Sequence, residues 1–405
     1  MKKIWDIAVI GGGAAGLAAA IEAKRTAKTL SVLLLEKNAS LGRKLAATGN
    51  GRCNLSNRVC AEQETVLRFF AEAGIAVREE DGRLYPYNED AREVAAVLTD
   101  RARRLGVEIQ MNQEIQSMET LPHGGFHLFV TGSDAPVCAR KVLIATGGKS
   151  YGQFGSTGDG YRFARTLGHR IVTPVPALTG IETVEDVSLL KGVRVKATVA
   201  LYCGGRLCGQ EAGEVQFRTD GLSGICVMNL SALVKPQKQA GRSIQEAFRD
   251  YRLVLDLMPD FDAAALQDLF RPALQFPDAQ NRDLLKTLVK APLAEAVLGR
   301  AGIAPDAPAA QLTAGQLQEI AAVLQGFTLT VRGLKGWNEA QVTAGGVSEA
   351  EVDAGHMESA LVPGLYFAGE VMEYAGPCGG YNLHYAWLTG IRAGHAMAAA
   401  LGTDR

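Results

Sequence analysis

Three glycines and one carboxylate carry the first chemical signal in this 405-residue chain. Gly11, Gly13 and Gly16 form a G-x-G-x-x-G pattern, and Glu36 follows 20 residues after Gly16. Gly11 permits a tight turn, Gly13 lets a pyrophosphate approach the backbone, and Gly16 lets a helix pack closely on a strand. Ala14 and Ala15 open that helix, whose free N–H groups and positive dipole end favour phosphate. A carboxylate at Glu36 accepts hydrogen bonds from an adenosine ribose and disfavours a 2′-phosphate, so the spacing points to bound NAD or FAD rather than NADP. Directly after the acid, Lys37, Gly42, Arg43, Lys44, Gly51 and Arg52 mix cations with glycine-exposed N–H groups that suit a diphosphate; a solvated basic loop is the competing reading. Cys53 and Asn54 end that segment. A disulfide reductase needs a second thiol close by, and the nearest, Cys60, lies seven residues on, so that class is set aside.

The elements that must position these groups are short. The apolar run at residues 7–10 reads as a buried parallel strand, and the small-residue stretch from Ala14 as the following helix. A second strand over residues 31–37 carries Glu36 at its end. Residues 106–118 read as two short strands, with Ile115 presenting its backbone to an adenine ring or simply sitting in a sheet. Residues 141–150 form an apolar strand ending at Thr146, Gly147 and Gly148, where the chain passes close to a ligand at the carboxyl end of the sheet. Asp159 reads as the N-cap of the next helix. Near the C-terminus another strand ends at Gly369 and Glu370. Gly379 and Gly380 then remove side chains where a planar ring must approach, and Asn382 caps a helix running through Leu383, Trp387 and Ile391.

Between these parts the composition changes. Alternation from residue 193, broken by Gly204 and Gly205, reads as antiparallel strands. Capping boxes at Ser243 with Glu246 and Thr313 with Gln316 bracket a largely helical stretch. The expected organisation is a nucleotide-binding domain over residues 1–189 and 341–405, a β-rich insert over 190–242 and 326–340, and a helical subdomain over 243–325. Cys203 and Cys208 flank the hairpin, but no His or acid cluster accompanies them, so no metal site is expected. Lys plus Arg total 42 against 43 for Asp plus Glu, which provides no overall attraction to nucleic acid or an anionic membrane. Seven cysteines without a CxxC pair fit the reducing cytoplasm. Asp6 and the triple glycine count against a signal peptide, and the uncharged run at 7–21 is too short to span a bilayer.

Six stretches together, "DIAVIGGGAAGLAAA", "LGRKLAATGNGRCNLSN", "IATGGKSYGQFGSTGDG", "DGLSG", "VTAGGV" and "GLYFAGEVMEYAGPCGGYNLHYAWLTGIRAG", resemble the BaiN-type NAD(P)/FAD-dependent oxidoreductase family. The resemblance implies an α/β fold with a Rossmann-like FAD-binding domain, an inserted β-barrel-like domain and a helical subdomain. It implies FAD, with the C-terminal stretch returning to complete the isoalloxazine and ribityl end of the site. The expected activity is hydride transfer from NAD(P)H through flavin N5 to an unsaturated or carbonyl-type small organic substrate. No second G-x-G-x-x-G is present, so the nicotinamide nucleotide is expected to dock transiently. Tyr381 and His384 are the candidate proton donors, although packing explains the first and a satisfied helix histidine the second equally well. The insert is expected to govern substrate access. Two other functions fit the same residues: a binding module without turnover, and a nucleic-acid-modifying flavoprotein, for which the neutral charge speaks poorly.

Overall fold

The computed structural model describes residues 3–236 and 241–402. Two compact units divide them: the first ends at Ala177 and resumes at Trp337, and the second runs Leu178–Gly336.

In the first unit the nucleotide-binding elements are β1 (Ile4–Ile10), α1 (Ala14–Thr26), β2 (Val32–Leu35), α2 (Ala91–Arg104), β3 (Val137–Ile144), β4 (Leu365–Phe367) and α3 (Tyr381–Gly402). β1 is buried at every residue from Trp5 onward and β2 throughout, as strands covered on both faces must be. The parallel part of the sheet runs Glu108–Gln110, β2, β1, β3. One edge of β3 serves two partners: Val137, Cys138 and Ala139 pair antiparallel with Leu128, His127 and Phe126, while Val142, Leu143 and Ile144 pair in parallel with β4. That shared edge draws the C-terminal segment back to the carboxyl ends of β1 and β3, so the residues after β4 emerge beside the first glycine turn. α3 lies on α1 at backbone distance, with Gly390 facing Ala15 and Gly394 facing Ala19. Lower on α3, Trp387 is fully buried, meets Phe70 edge-on at 5.3 Å and donates its indole N–H to Leu55 O at 3.1 Å.

The second unit is a closed six-stranded barrel with helices. Its strands follow the order Ile181–Thr183, Gly221–Ser223, Arg206–Arg218, Arg194–Cys203, Tyr251–Asp256, Phe327–Leu334, and the last pairs with the first. Gly204 and Gly205 make the hairpin turn with φ of +54° and +82°, a conformation that suits a two-residue connection of twisted strands. Both expected capping boxes are formed, Ser243 with Glu246 and Thr313 with Gln316. The stretch read as helical is interrupted: Tyr251–Asp256 is a barrel strand, its alternate residues Tyr251, Leu253 and Leu255 buried. Because Ile181–Thr183 is already a barrel strand, this unit also begins before residue 190 and ends before residue 340.

Candidate active site

β1 ends at the glycine turn, and the backbone there explains each glycine. Gly11 has φ +105°, and a Cβ on it would stand 2.5 Å from Ala145 O on the neighbouring strand. A Cβ on Gly16 would stand 1.9 Å from Gly11 O, so α1 touches the turn it follows. At Gly13 a Cβ would meet nothing within 4 Å. Gly13 caps α1 without any side-chain acceptor, which leaves the first N–H groups of the helix pointing into open space.

Beside this turn, the Glu36 carboxylate is buried and organises its own loop. Oε2 accepts from Gly12 N–H at 2.9 Å, and Oε1 accepts from Asn38 N–H at 2.8 Å and from the Asn38 amide at 2.6 Å. A carboxylate has about four lone-pair sites, so Oε2 keeps one free toward the cleft. Lys37 reaches across to Asp159 and Thr157 at 2.5 Å each. Asp159 is not the N-cap expected of it: Gly158 occupies that position with φ +85°, and Asp159 is the first helical residue, held by Lys37. Arg43 is tied to Asn38 Oδ1 at 2.7 Å and Gln153 O at 3.0 Å.

A second network joins four distant segments. Glu370, just after β4, accepts from Thr343 N–H at 2.8 Å and Ser150 Oγ at 2.9 Å through one oxygen, and from Lys44 Nζ at 2.5 Å through the other. Lys44 also donates to Ser150 Oγ at 2.8 Å, and Thr343 Oγ1 accepts from Lys149 and Ser150 N–H. Gly148 packs against this network rather than opening space, since a Cβ there would meet Thr343 Oγ1 at 2.4 Å.

Many of these groups line one cleft of about 190 Å³, with Ser150 and Thr343 standing behind its wall. Of the residues singled out from sequence it takes Gly11, Gly13, Ala14, Ala15, Glu36, Lys37, Gly42, Arg43, Lys44, Ile115, Thr146, Gly147, Gly369, Glu370 and Asn382. Tyr374 and Tyr385 complete the far end, their rings stacked at 4.1 Å and 10°. Neither tyrosine was singled out from sequence, nor was Thr343 or Ser150; Ser150 meets Lys44, Thr343 and Glu370 across more than 100 residues each, and the tyrosines stack across a glycine-rich loop whose path no local spacing reveals.

Other expected site residues are placed elsewhere. Arg52 pairs with Glu80 and Glu89 and lies over the Tyr85 ring at 4.2 Å, so its charge pins the loop to a small three-stranded sheet. Next to it, Gly51 has φ +88° and a Cβ there would meet nothing within 4 Å, while Cys53 is fully buried and its thiol is pushed up to about 12 by that burial. The Asn54 side-chain oxygen accepts from Gly380 N–H at 3.1 Å. A Cβ on Gly380 would stand 2.4 Å from Ser56 O, so this glycine permits an approach of two chain segments, not of a ring. Gly379 has φ +122° and lies against the Tyr381 ring. Asn382 is inside α3, and its side chain bonds Gly376 N–H and O at 2.9 Å each, fastening the preceding loop instead of capping the helix.

His384 has both ring nitrogens engaged. Nε2 donates to Ala61 O at 2.8 Å, which leaves Nδ1 to accept from Ser56 Oγ at 2.8 Å. Burial lowers its pKa, as it does for His169, which sits between Glu351 and Ser359. The unfolded chain takes up protons near the ordinary imidazole value of about 6.5 while the folded one resists, so stability present above that pH is lost as pH falls below it. The melting temperature is therefore expected to decline between about pH 6.5 and 5.5, with a smaller slope in His384→Gln; equal slopes would show that His384 contributes nothing.

The cleft fits an extended dinucleotide on three counts. Unfilled space lies over Gly13 at the helix end, a lone pair of Glu36 is free, and the Thr146 hydroxyl at the cleft wall is buried without a hydrogen-bond partner. The lining runs from Glu36 to the stacked tyrosines, so the cleft suits an elongated ligand.

Comparison with known proteins agrees with this geometry. The family described as HI0933-like protein Rossmann domain matches residues 5–65 and 60–396. The 3-dehydro-bile acid delta(4,6)-reductase of Clostridium scindens is 32% identical over 413 residues, covering 97% of this chain and 98% of that protein. Ribosomal RNA dihydrouridine synthases of Haemophilus influenzae and Escherichia coli are 26% and 28% identical, covering 100% and 98% of this chain and the same shares of theirs. Among solved structures, the open conformation of a flavocytochrome c3 fumarate reductase superposes with a TM-score of 0.50 at 15% identity, over 98% of this chain and 78% of that one, a likeness of fold alone.

Proposed function

Since the chain belongs to the HI0933-like family of Rossmann flavoproteins, we propose that it is an FAD-dependent reductase that saturates a carbon–carbon double bond conjugated to a carbonyl in a small organic substrate. The observation that carries this reading is the single cleft joining the glycine turn and Glu36 to Glu370 and the stacked tyrosines. Delta(4,6) reduction and dihydrouridine formation, the activities in the relatives' names, both add two hydrogens across a ring double bond, and that shared chemistry supports it.

Bound flavin supplies the hydride at N5. The protein's part is to hold and to protonate. The first turn of α1 takes the diphosphate, Glu36 the ribose, and Lys44 with Glu370 the ribityl end. Tyr374 and Tyr385 wall the far end. Burial raises the pKa of both phenols, so they stay protonated at neutral pH. Tyr385 already donates to Glu349 at 3.1 Å. We place the proton donor at Tyr374, which lines the cleft; Tyr381 is not among the residues that line it, and His384, with both nitrogens engaged, has a structural role. The net reaction consumes one NAD(P)H and one proton per double bond and releases NAD(P)+. No helix among the described residues is long and apolar enough to cross a membrane, and a cytoplasmic location is part of this proposal.

Mass analysis of released cofactor is expected to find FAD, and anaerobic NADH or NADPH to bleach it, with a cyclic enone restoring the colour. FMN, or a flavin that no nicotinamide reduces, overturns the reading. The second reading, the same reduction on an RNA uridine, is favoured by the two ribosomal RNA relatives; restoration of colour by RNA and not by enones would establish it.

A further inference from the structure

A second groove adjoins the cofactor cleft and shares Ser40, Arg43 and Phe154 with it. α2 forms one side and the loop from Ala39 to Ala47 the other. Its apolar lining joins the small residues Ala46, Ala47, Ala95 and Ala96 to Leu41, Met111 and Phe154. Its rim is cationic, with Arg43, Arg92 and Arg103 around a single carboxylate, Asp100.

The charge of that rim is largely unspent. Among the described residues Arg92 has no carboxylate partner, and Arg43 bonds only uncharged oxygens of Asn38 and Gln153. Arg103 meets Asp100 at 3.7 Å, but both side chains are more than half exposed, so the pair is weak. Three guanidiniums against one carboxylate, beside an apolar lining that includes Phe154, suit a planar base carrying a phosphate. The proposed reaction needs such a ligand. Its hydride comes from a nicotinamide nucleotide, and the sequence holds one G-x-G-x-x-G, already part of the first cleft.

We propose that this groove docks the reducing nucleotide, with the 2′-phosphate of NADPH held at the arginine rim by Arg92 or Arg103, which stand about 16 Å apart along α2. Arg43, on the wall common to both cavities, then faces the phosphates of both dinucleotides. The assignment rests on the reading of the chain as a nicotinamide-fed reductase, and it makes NADPH rather than NADH the preferred donor.

Calorimetric titration of the FAD-loaded protein with 2′,5′-ADP and with 5′-AMP tests the groove without any substrate. The wild type is expected to bind 2′,5′-ADP at least ~10-fold more tightly, since a phosphate–arginine pair adds a charged hydrogen bond. In Arg92→Gln/Arg103→Gln that preference should fall below about threefold, and the apparent Kd for NADPH in flavin reduction should rise by a similar factor. Both side chains are exposed on α2, so FAD content and melting temperature should not change. Absence of the preference in the wild type, or its survival in the variant, overturns the proposal. If the variant keeps the preference and loses affinity for a uridine-rich RNA hairpin, the groove is an RNA surface and the proposal is equally overturned. Failure of both NADPH and NADH to bleach the flavin refutes the reductant reading instead, and the 2′,5′-ADP titration still judges the groove.

Discussion

Gly394→Ala should destabilise the first unit by ~3 kcal/mol, the upper end of the usual cost of overpacking, and lower its melting temperature by about 6–12 °C. The added Cβ would stand 2.3 Å from Ala19 O and 2.9 Å from Ala19 C and Cα. All three are backbone atoms of α1, so no side-chain rotation relieves the clash and the helices must part. One turn earlier, Gly390 makes the same approach to Ala15 O at 2.4 Å. The seam is therefore Gly-x-x-x-Gly of α3 against Ala-x-x-x-Ala of α1. Parting it also displaces the amino end of α1, so FAD content should fall with stability, and Gly390→Ala/Gly394→Ala should purify without bound flavin if it folds at all. A melting shift under 2 °C for Gly394→Ala would mean that the helices are not this close. Gly402→Ala is the control, since a Cβ there meets nothing within 4 Å.

The same backbone logic separates what the sequence makes legible from what it hides. The turn at Gly11 and the contact at Gly16 are readable because both arise within one strand–turn–helix unit, where spacing alone sets the geometry. The hairpin at Gly204–Gly205 and the two capping boxes are readable for the same local reason. Gly380 is only half readable. Its lack of a side chain signals a close approach, but the approaching partner, Ser56 O, lies over 300 residues away, and a ring was the wrong occupant to infer. Arg52 looks identical to Arg43 in sequence, yet Glu80 and Glu89 on a separate small sheet claim it. The network of Lys44, Ser150, Thr343 and Glu370 is illegible altogether, because its members lie on four separate chain segments and only the topology brings them together. Tyr251–Asp256 was hidden by its length: six residues between helices offer three alternations, too few to outweigh their surroundings.

Glu36→Ala brings these threads to one carboxylate. From spacing alone the residue is a ribose ligand, and its loss should cost one charged hydrogen bond, about 1.5–3 kcal/mol or one to two decades of FAD affinity. The structure raises that expectation. Glu36 already accepts from Gly12 N–H and from both nitrogens of Asn38, so it fixes the loop on which the nucleotide would lie before any ligand arrives. Removing it leaves the buried Gly12 N–H without an acceptor, a further penalty of about 1–3 kcal/mol that falls on the apo protein. Two measurements should therefore move together in Glu36→Ala: FAD affinity down by about 100-fold, and apo-protein melting down by several degrees. Glu36→Gln is the informative companion. Its single carbonyl oxygen can face Gly12 or Asn38 but not both, and its NH2 then opposes an N–H on the other side. An intermediate loss, near 10-fold in affinity with a smaller melting shift, is expected. If Glu36→Ala lowers affinity but leaves apo stability untouched, the carboxylate is a ligand group alone and the loop is held by something else. If neither changes, the ribose lies elsewhere in the cleft.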